Sequence, residues 1–126
     1  MHRSRLSTLV IDCETNDLDD AAKFWSRALG YDTRHSTNPE TAHYVELDAP
    51  ANEVQVLLQA VNHQSRVHID IETDDIDAEV RRLEGLGAKR LGDVKTWCVM
   101  EAPSGHRFCV VQPQRTGLED GANVWE

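Results

Sequence analysis

Four ionisable side chains stand at every second position of one short run: Arg66, His68, Asp70 and Glu72 in R-V-H-I-D-I-E. In an extended chain alternate side chains share a face. A guanidinium, an imidazole and two carboxylates therefore point one way, with Val67, Ile69 and Ile71 opposite and expected to pack on helices. An imidazole flanked by a cation and a carboxylate can serve as a general base, a polar anchor or a metal ligand. Arg66 can hold a substrate carboxylate or phosphate, or pair with Asp70 or Asp12. The bland alternative is a satisfied cross-strand salt-bridge network. Strand neighbours two residues apart sit about 7 Å from one another, which argues against joint chelation by His68 and Asp70. Trp97, on a later strand, is either a stacking wall for a ligand or core.

The same run occurs earlier in the chain. V-I-D-C-E-T-N-D-L-D (10–19) and H-I-D-I-E-T-D-D-I-D (68–77) agree at six of ten positions, among them Asp12/Asp70 and Glu14/Glu72. The sharpest difference is Val10 against His68. In each copy a strand-like run feeds a helix-like run that ends in Leu-Gly, at Leu29-Gly30 and Leu86-Gly87. Two copies of one unit are expected, with Asp12 and Glu14 on the face equivalent to that of His68 and Asp70.

The elements that must position these residues follow from periodicity and turn signals. The first unit reads as a strand over 6–13, a helix over 17–29 capped by Asn16 or Asp17, and a short strand over 31–34. A polar loop containing Asn-Pro follows at 35–41, then strands over 42–47 and 54–61. The helix stripe is Leu18, Ala21, Ala22, Trp25, Ala28 and Leu29, and Trp25 is expected in the core. The second unit reads as a strand over 66–72, a helix over 75–86, a short strand over 89–91, and strands over 96–101 and 107–112. Aligning V-L-L-Q (56–59) with C-V-V-Q (109–112) places the last strands at an offset of 53. Residues 113–126 are polar, so a frayed end is expected, the alternative being that Trp125 docks on an apolar surface. His2, His35, His63 and His106 are expected at the surface; His43, opening a strand, can reach the site.

Composition narrows the classes. The chain has 126 residues, 40% apolar and 28% charged, enough for one compact domain with a true core. A net charge of −9 argues against nucleic acid and anionic membrane as partners. The apolar run after the basic start is too short for a signal peptide, and a cytoplasmic protein is expected. Cys13, Cys98 and Cys109 show no paired spacing and read as buried free thiols.

The phrases V-I-D-C (10–13), K-F-W-S-R-A-L-G-Y (23–31), R-V-H-I-D-I (66–71), L-G-A-K-R (86–90), W-C-V-M-E-A-P-S-G (97–105) and F-C-V-V (108–111), in this order within a duplicated unit, resemble the glyoxalase-like domains of the vicinal oxygen chelate superfamily. That group includes glyoxalase I, extradiol dioxygenases, and bleomycin- and fosfomycin-resistance proteins. The resemblance implies an α+β fold of two βαβββ modules forming a cupped mixed sheet around a central cleft. The modules would be about 6–61 and 66–112, with a tail over 113–126. It also implies a homodimer and a small-molecule ligand, and turns the polar face of strand 66–72 toward the cleft.

The family's metal site takes one residue from the first and one from the last strand of each module. Carried over, these fall on His68 and Cys109 in the second module and on Val10 and Val56 in the first, with Gln59 the fallback for Val56. Only His68 keeps the family's ligand type. A Cys109 thiolate would favour Zn²⁺ over Mg²⁺ or Mn²⁺. The expected site is therefore His68 as base or ligand, with Arg66, Asp70, Asp12, Glu72, Trp97 and Cys109 binding substrate. No resident cofactor is expected, a divalent metal being the one group the donors could support. The expected function is a glyoxalase-like enzyme of lyase or isomerase type on a small polar metabolite, without authentic glyoxalase I activity. The alternative is a non-catalytic protein that binds a small molecule or drug.

Overall fold

The computed structural model describes residues 1–34 and 42–126; the loop expected at 35–41, with His35, lies outside the described residues. The element order contains β-α-β-β-β twice. The first set is β1 (His2–Glu14), α1 (Leu18–Leu29), β2 (Thr33–Arg34), β3 (Tyr44–Leu47) and β4 (Gln55–Val61). The second is β5 (Arg66–Thr73), α2 (Ile76–Gly85), β6 (Lys89–Val94), β7 (Trp97–Glu101) and β8 (Arg107–Val111). A short helix α3 (Leu118–Gly121) and a strand β9 (Asn123–Trp125) follow. Backbone packing defines two compact units, Thr8–Val67 and Met1–Ser7 with His68–Glu126.

In the unit Thr8–Val67 the strand order is β2-β3-β4-β1. The outer pairs are antiparallel and β1 runs parallel to β4. Asp17 starts α1 by accepting from the Asp20 amide at 3.1 Å, and Gly30 ends it at φ 76°, a left-handed turn that favours glycine. Ala22 is buried with Ile11, Cys13, Val45, Leu47, Val56 and Leu58, and Leu18, Ala21, Trp25 and Tyr31 pack against them. Trp25 thus lies at the core margin, while the far end of the expected stripe, Ala28 and Leu29, is exposed.

In the other unit the order is β5-β8-β7-β6, again with a parallel inner pair, β5 on β8. Asp75 caps α2 by accepting from the Ala78 amide at 3.1 Å. Val80 and Leu83 of α2 pack on Cys98, Met100, Phe108 and Val110, with Ile71 at the margin. The expectation that all of Val67, Ile69 and Ile71 would bury against a helix fails. Val67 is 52% and Ile69 37% exposed. The reason is placement: α2 packs mainly across β6, β7 and β8 and does not cover the first half of β5.

The chain end is also corrected. Residues after 113 are anchored, because β9 pairs antiparallel with the start of β1, His2 opposite Trp125 and Ser4 opposite Asn123. The Trp125 indole N–H donates to Ser4 Oγ at 2.8 Å, and the Arg82 guanidinium lies 3.8 Å from the ring centroid. Arg5 donates to the carbonyls of Arg115, Thr116 and Gly117. His2, expected at the surface, is buried with Nε2 2.8 Å from Glu79 Oε1. Burial alone would push the Glu79 carboxyl up, but hydrogen bonds from Arg82, His2 and Ser4 hold it below its ordinary value.

Candidate functional site

The repeat of strand β5 puts His68, Asp70 and Glu72 on the face turned away from Ile71 and the core under α2. Register brings the next strands' residues beside them. Asp70 pairs with Cys109 on β8, and Cys109 pairs with Val99 on β7. Trp97 shares the Val99 face and is half-buried, opposite the buried Cys98 and Met100. Four of the expected residues, His68, Asp70, Cys109 and Trp97, therefore stand on one sheet face.

Three of them converge. His68 Nε2 lies 3.6 Å from Asp70 Oδ1, with the side chains 15% and 16% exposed. One donor atom each from His68, Asp70 and Cys109 lies within 4.8 Å of the others. The argument from 7 Å strand spacing is overturned, because it measures backbone positions. An imidazole and a carboxylate that lean toward each other close most of that gap.

Glu72 continues the same strand but is built into the scaffold. It is fully buried; Oε2 accepts from Arg5 Nε at 2.9 Å and faces Arg115 Nε at 3.3 Å. Its Oε1 accepts from the amides of Gln114 and Arg115. These four contacts account for a buried carboxylate and tie β5 to the chain end.

The unit Thr8–Val67 has the equivalent face on β1 and β4. Val10 pairs with Leu57 and Asp12 with Gln59. Asp12 is 2% exposed, with Arg66 Nε 3.9 Å from its Oδ2, a loose pair that leaves the Arg66 side chain 45% exposed. Placing the fourth family position at Val56 is corrected: Val56 sits in the core under α1, on the opposite side of β4. Gln59 stands to Asp12 as Cys109 stands to Asp70, so the offset of the last strands is 109 − 59 = 50 and not 53. Gln59 donates to the Tyr44 hydroxyl at 3.4 Å. The signal that could have found it was strand alternation, which already set Gln59 apart from Val56. His43 is exposed beside Tyr44, ring centroids 4.0 Å apart.

The thiols separate by setting. Burial, then the Asp12 carboxylate, pushes the Cys13 thiol up, and burial likewise raises Cys98. Cys109 is partly buried on the polar face. The donor set of imidazole, carboxylate and thiol suits a tetrahedral divalent ion. A tetrahedral ion bound at ~2.0–2.3 Å separates its ligands by roughly 3.3–3.8 Å, and the His68–Asp70 contact of 3.6 Å already lies in that range.

This arrangement, two βαβββ copies with polar donors on the paired first and last strands, defines a glyoxalase-like protein of α+β class. The chain belongs to the glyoxalase-like domain family, whose model matches residues 8–111. Solved structures of the same fold agree. A hypothetical protein from Bacillus halodurans C-125 superposes with a TM-score of 0.63 at 10% identity, covering 90% of this chain and 97% of that one. Methylmalonyl-CoA epimerase from Mycobacterium tuberculosis gives 0.61 at 18% identity, covering 86% and 87%. The Streptomyces coelicolor epimerase in complex with 2-nitronate-propionyl-CoA gives 0.62 at 18% identity, covering 86% and 96%. No curated protein sequence matches the chain. Among the described residues, no helix is long and apolar enough to cross a membrane.

Proposed function

We propose that this chain is an enzyme of lyase or isomerase type that acts on a small polar, anionic metabolite through His68, with Arg66 as the anion anchor. The reading rests on the His68–Asp70 contact, 3.6 Å on a mostly buried sheet face beside Cys109. A carboxylate at that distance lies just beyond hydrogen-bond reach and is placed to orient the imidazole on a small side-chain movement, as a proton-transfer group requires. As a base, His68 takes a proton from the carbon beside the substrate's carbonyl and, as the conjugate acid, returns it to the same or the adjacent carbon. That closes the balance for an isomerisation; in a lyase reaction the electron pair left by the proton forms a carbon–carbon double bond as the leaving group departs with its own bonding pair. If His68 is instead a ligand, a divalent cation held with Asp70 and Cys109 would supply Lewis acidity toward a substrate oxygen, and the proton would then be carried by a group other than the bound imidazole. Arg66, two residues before His68 and only loosely paired, offers guanidinium N–H groups to a carboxylate or phosphate. The same family membership leads us to propose a homodimer, to be measured by light scattering.

Solvent exchange tests the activity. The protein is incubated in D₂O with small 2-oxo and 2-hydroxy acids and with acyl-CoA thioesters, the last because epimerases of this fold act in that class. Mass spectrometry should show deuterium entering one of these probes, slowed about 10²-fold or more in His68→Ala. Tight binding of a probe by thermal shift with no exchange or turnover would favour the non-catalytic binding protein instead.

A further inference from the structure

We infer that His68, Asp70 and Cys109 form a self-contained, sulfur-bearing metal centre within one module, selective for Zn²⁺ and similar thiophilic divalent cations over Mg²⁺ and Mn²⁺. This rests on the same site as the proposed function and takes the alternative in which His68 is a ligand and not the base.

Three observations carry it. The donors come from adjacent, hydrogen-bonded strands whose register fixes Asp70 beside Cys109, so the centre is held by two rigid elements. One atom of each lies within 4.8 Å of the other two, and His68 Nε2 is already 3.6 Å from Asp70 Oδ1. The three side chains are only partly buried, which leaves a coordination position accessible to water or substrate, as open metal sites require. Asp70 is the added ligand. It takes its place by pairing across the strands with Cys109, while its counterpart Asp12 pairs with Gln59 and lies beside Arg66.

The donor types set the selectivity. A thiolate is a soft ligand and an imidazole a borderline one, a pairing that suits Zn²⁺, Co²⁺ or Cd²⁺. Mg²⁺ and Mn²⁺ favour all-oxygen shells.

The test uses the full chain stripped with chelator and titrated with Co²⁺ alone. One equivalent should produce tetrahedral d–d bands in the visible and a thiolate-to-Co²⁺ charge-transfer band in the near ultraviolet. Zn²⁺ should displace both and Mg²⁺ neither. Cys109→Ser should abolish the charge-transfer band, and His68→Ala and Asp70→Asn should each weaken Zn²⁺ binding about tenfold or more. Cys13→Ser and Cys98→Ser should leave the spectrum unchanged, and circular dichroism of each variant confirms folding. A charge-transfer band that survives Cys109→Ser in a folded protein, displacement by Mg²⁺, or no stoichiometric binding overturns the inference. The two readings fail separately. Deuterium exchange by a protein that binds no stoichiometric metal keeps the enzyme and removes the centre; a sulfur-ligated ion with no turnover of any probe keeps the centre and removes the enzyme.

Discussion

The two first strands share Ile-Asp-x-Glu (11–14 and 69–72) and differ in what surrounds it. On β5, His68 and Asp70 meet Cys109 of β8 and make a cluster of three donors. On β1, Val10 and Asp12 meet Leu57 and Gln59 of β4, and Asp12 is buried beside Arg66. The next pair of the repeat diverges the other way. Glu72 is fully buried and holds two arginines and two backbone amides, whereas Glu14 is exposed. The lesson is that duplication preserves strand register, which is a backbone property, and leaves each side chain to be used by whatever its own module places nearby. Identical residues, Asp12/Asp70 and Glu14/Glu72, ended in different roles.

The comparison is broken most directly at the site. His68→Ala should reduce turnover of a responsive substrate by about 10²–10⁴-fold. Arg66→Ala should mainly raise KM, which steady-state kinetics on the same substrate would resolve. If His68→Ala leaves turnover intact, the chemistry does not belong to the β5 face.

The second contrast is one of stability. Glu72→Ala leaves Arg5 and Arg115 buried without their shared carboxylate and should destabilise the fold by about 3–5 kcal/mol. Glu14→Ala, the same change in the other copy, should stay within about 0.5 kcal/mol. Urea denaturation of the two variants measures the difference, and similar values would erase the distinction between the copies.

Glu79 adds a pH dependence. Its carboxyl is held below its ordinary value of 4.5 in the folded chain. It therefore contributes stability above that pH, and the contribution fades as pH falls below about 4.5 through the folded value. Glu79→Gln should flatten the acid limb of the melting-temperature profile below about pH 4.5. The smallest effect is expected at the chain end. Trp125→Leu removes the bond to Ser4 and the stacking with Arg82 and should cost about 1–2 kcal/mol, without changing turnover.

Much of this was legible in the sequence where the signal is local. Period-two alternation found β5, an apolar run and the internal repeat found β1, Asn16 or Asp17 and Asp75 marked the helix starts, and the ordered phrases pointed to the family. What was not legible depended on partners distant in sequence. The chain end looked frayed because its anchors are Arg5, Glu72 and Arg82, far from position 125. The apolar side of β5 was expected to be covered because alternation says which residues share a face but not how far a helix extends over it. Val56 was misplaced because the alignment by V-L-L-Q and C-V-V-Q matched letters across an odd shift of three residues, which exchanges the faces of a strand. Chelation by His68 and Asp70 was discounted because backbone spacing says nothing of where two side chains lean.

By the inference above, the β5–β8 copy alone assembles the metal centre. Anomalous diffraction at the zinc edge, from crystals of protein loaded with one equivalent of Zn²⁺, tests it most directly. A single strong peak ligated by His68, Asp70 and Cys109 is expected. A peak ligated by Gln59, or one from which Asp70 and Cys109 are absent, would contradict it.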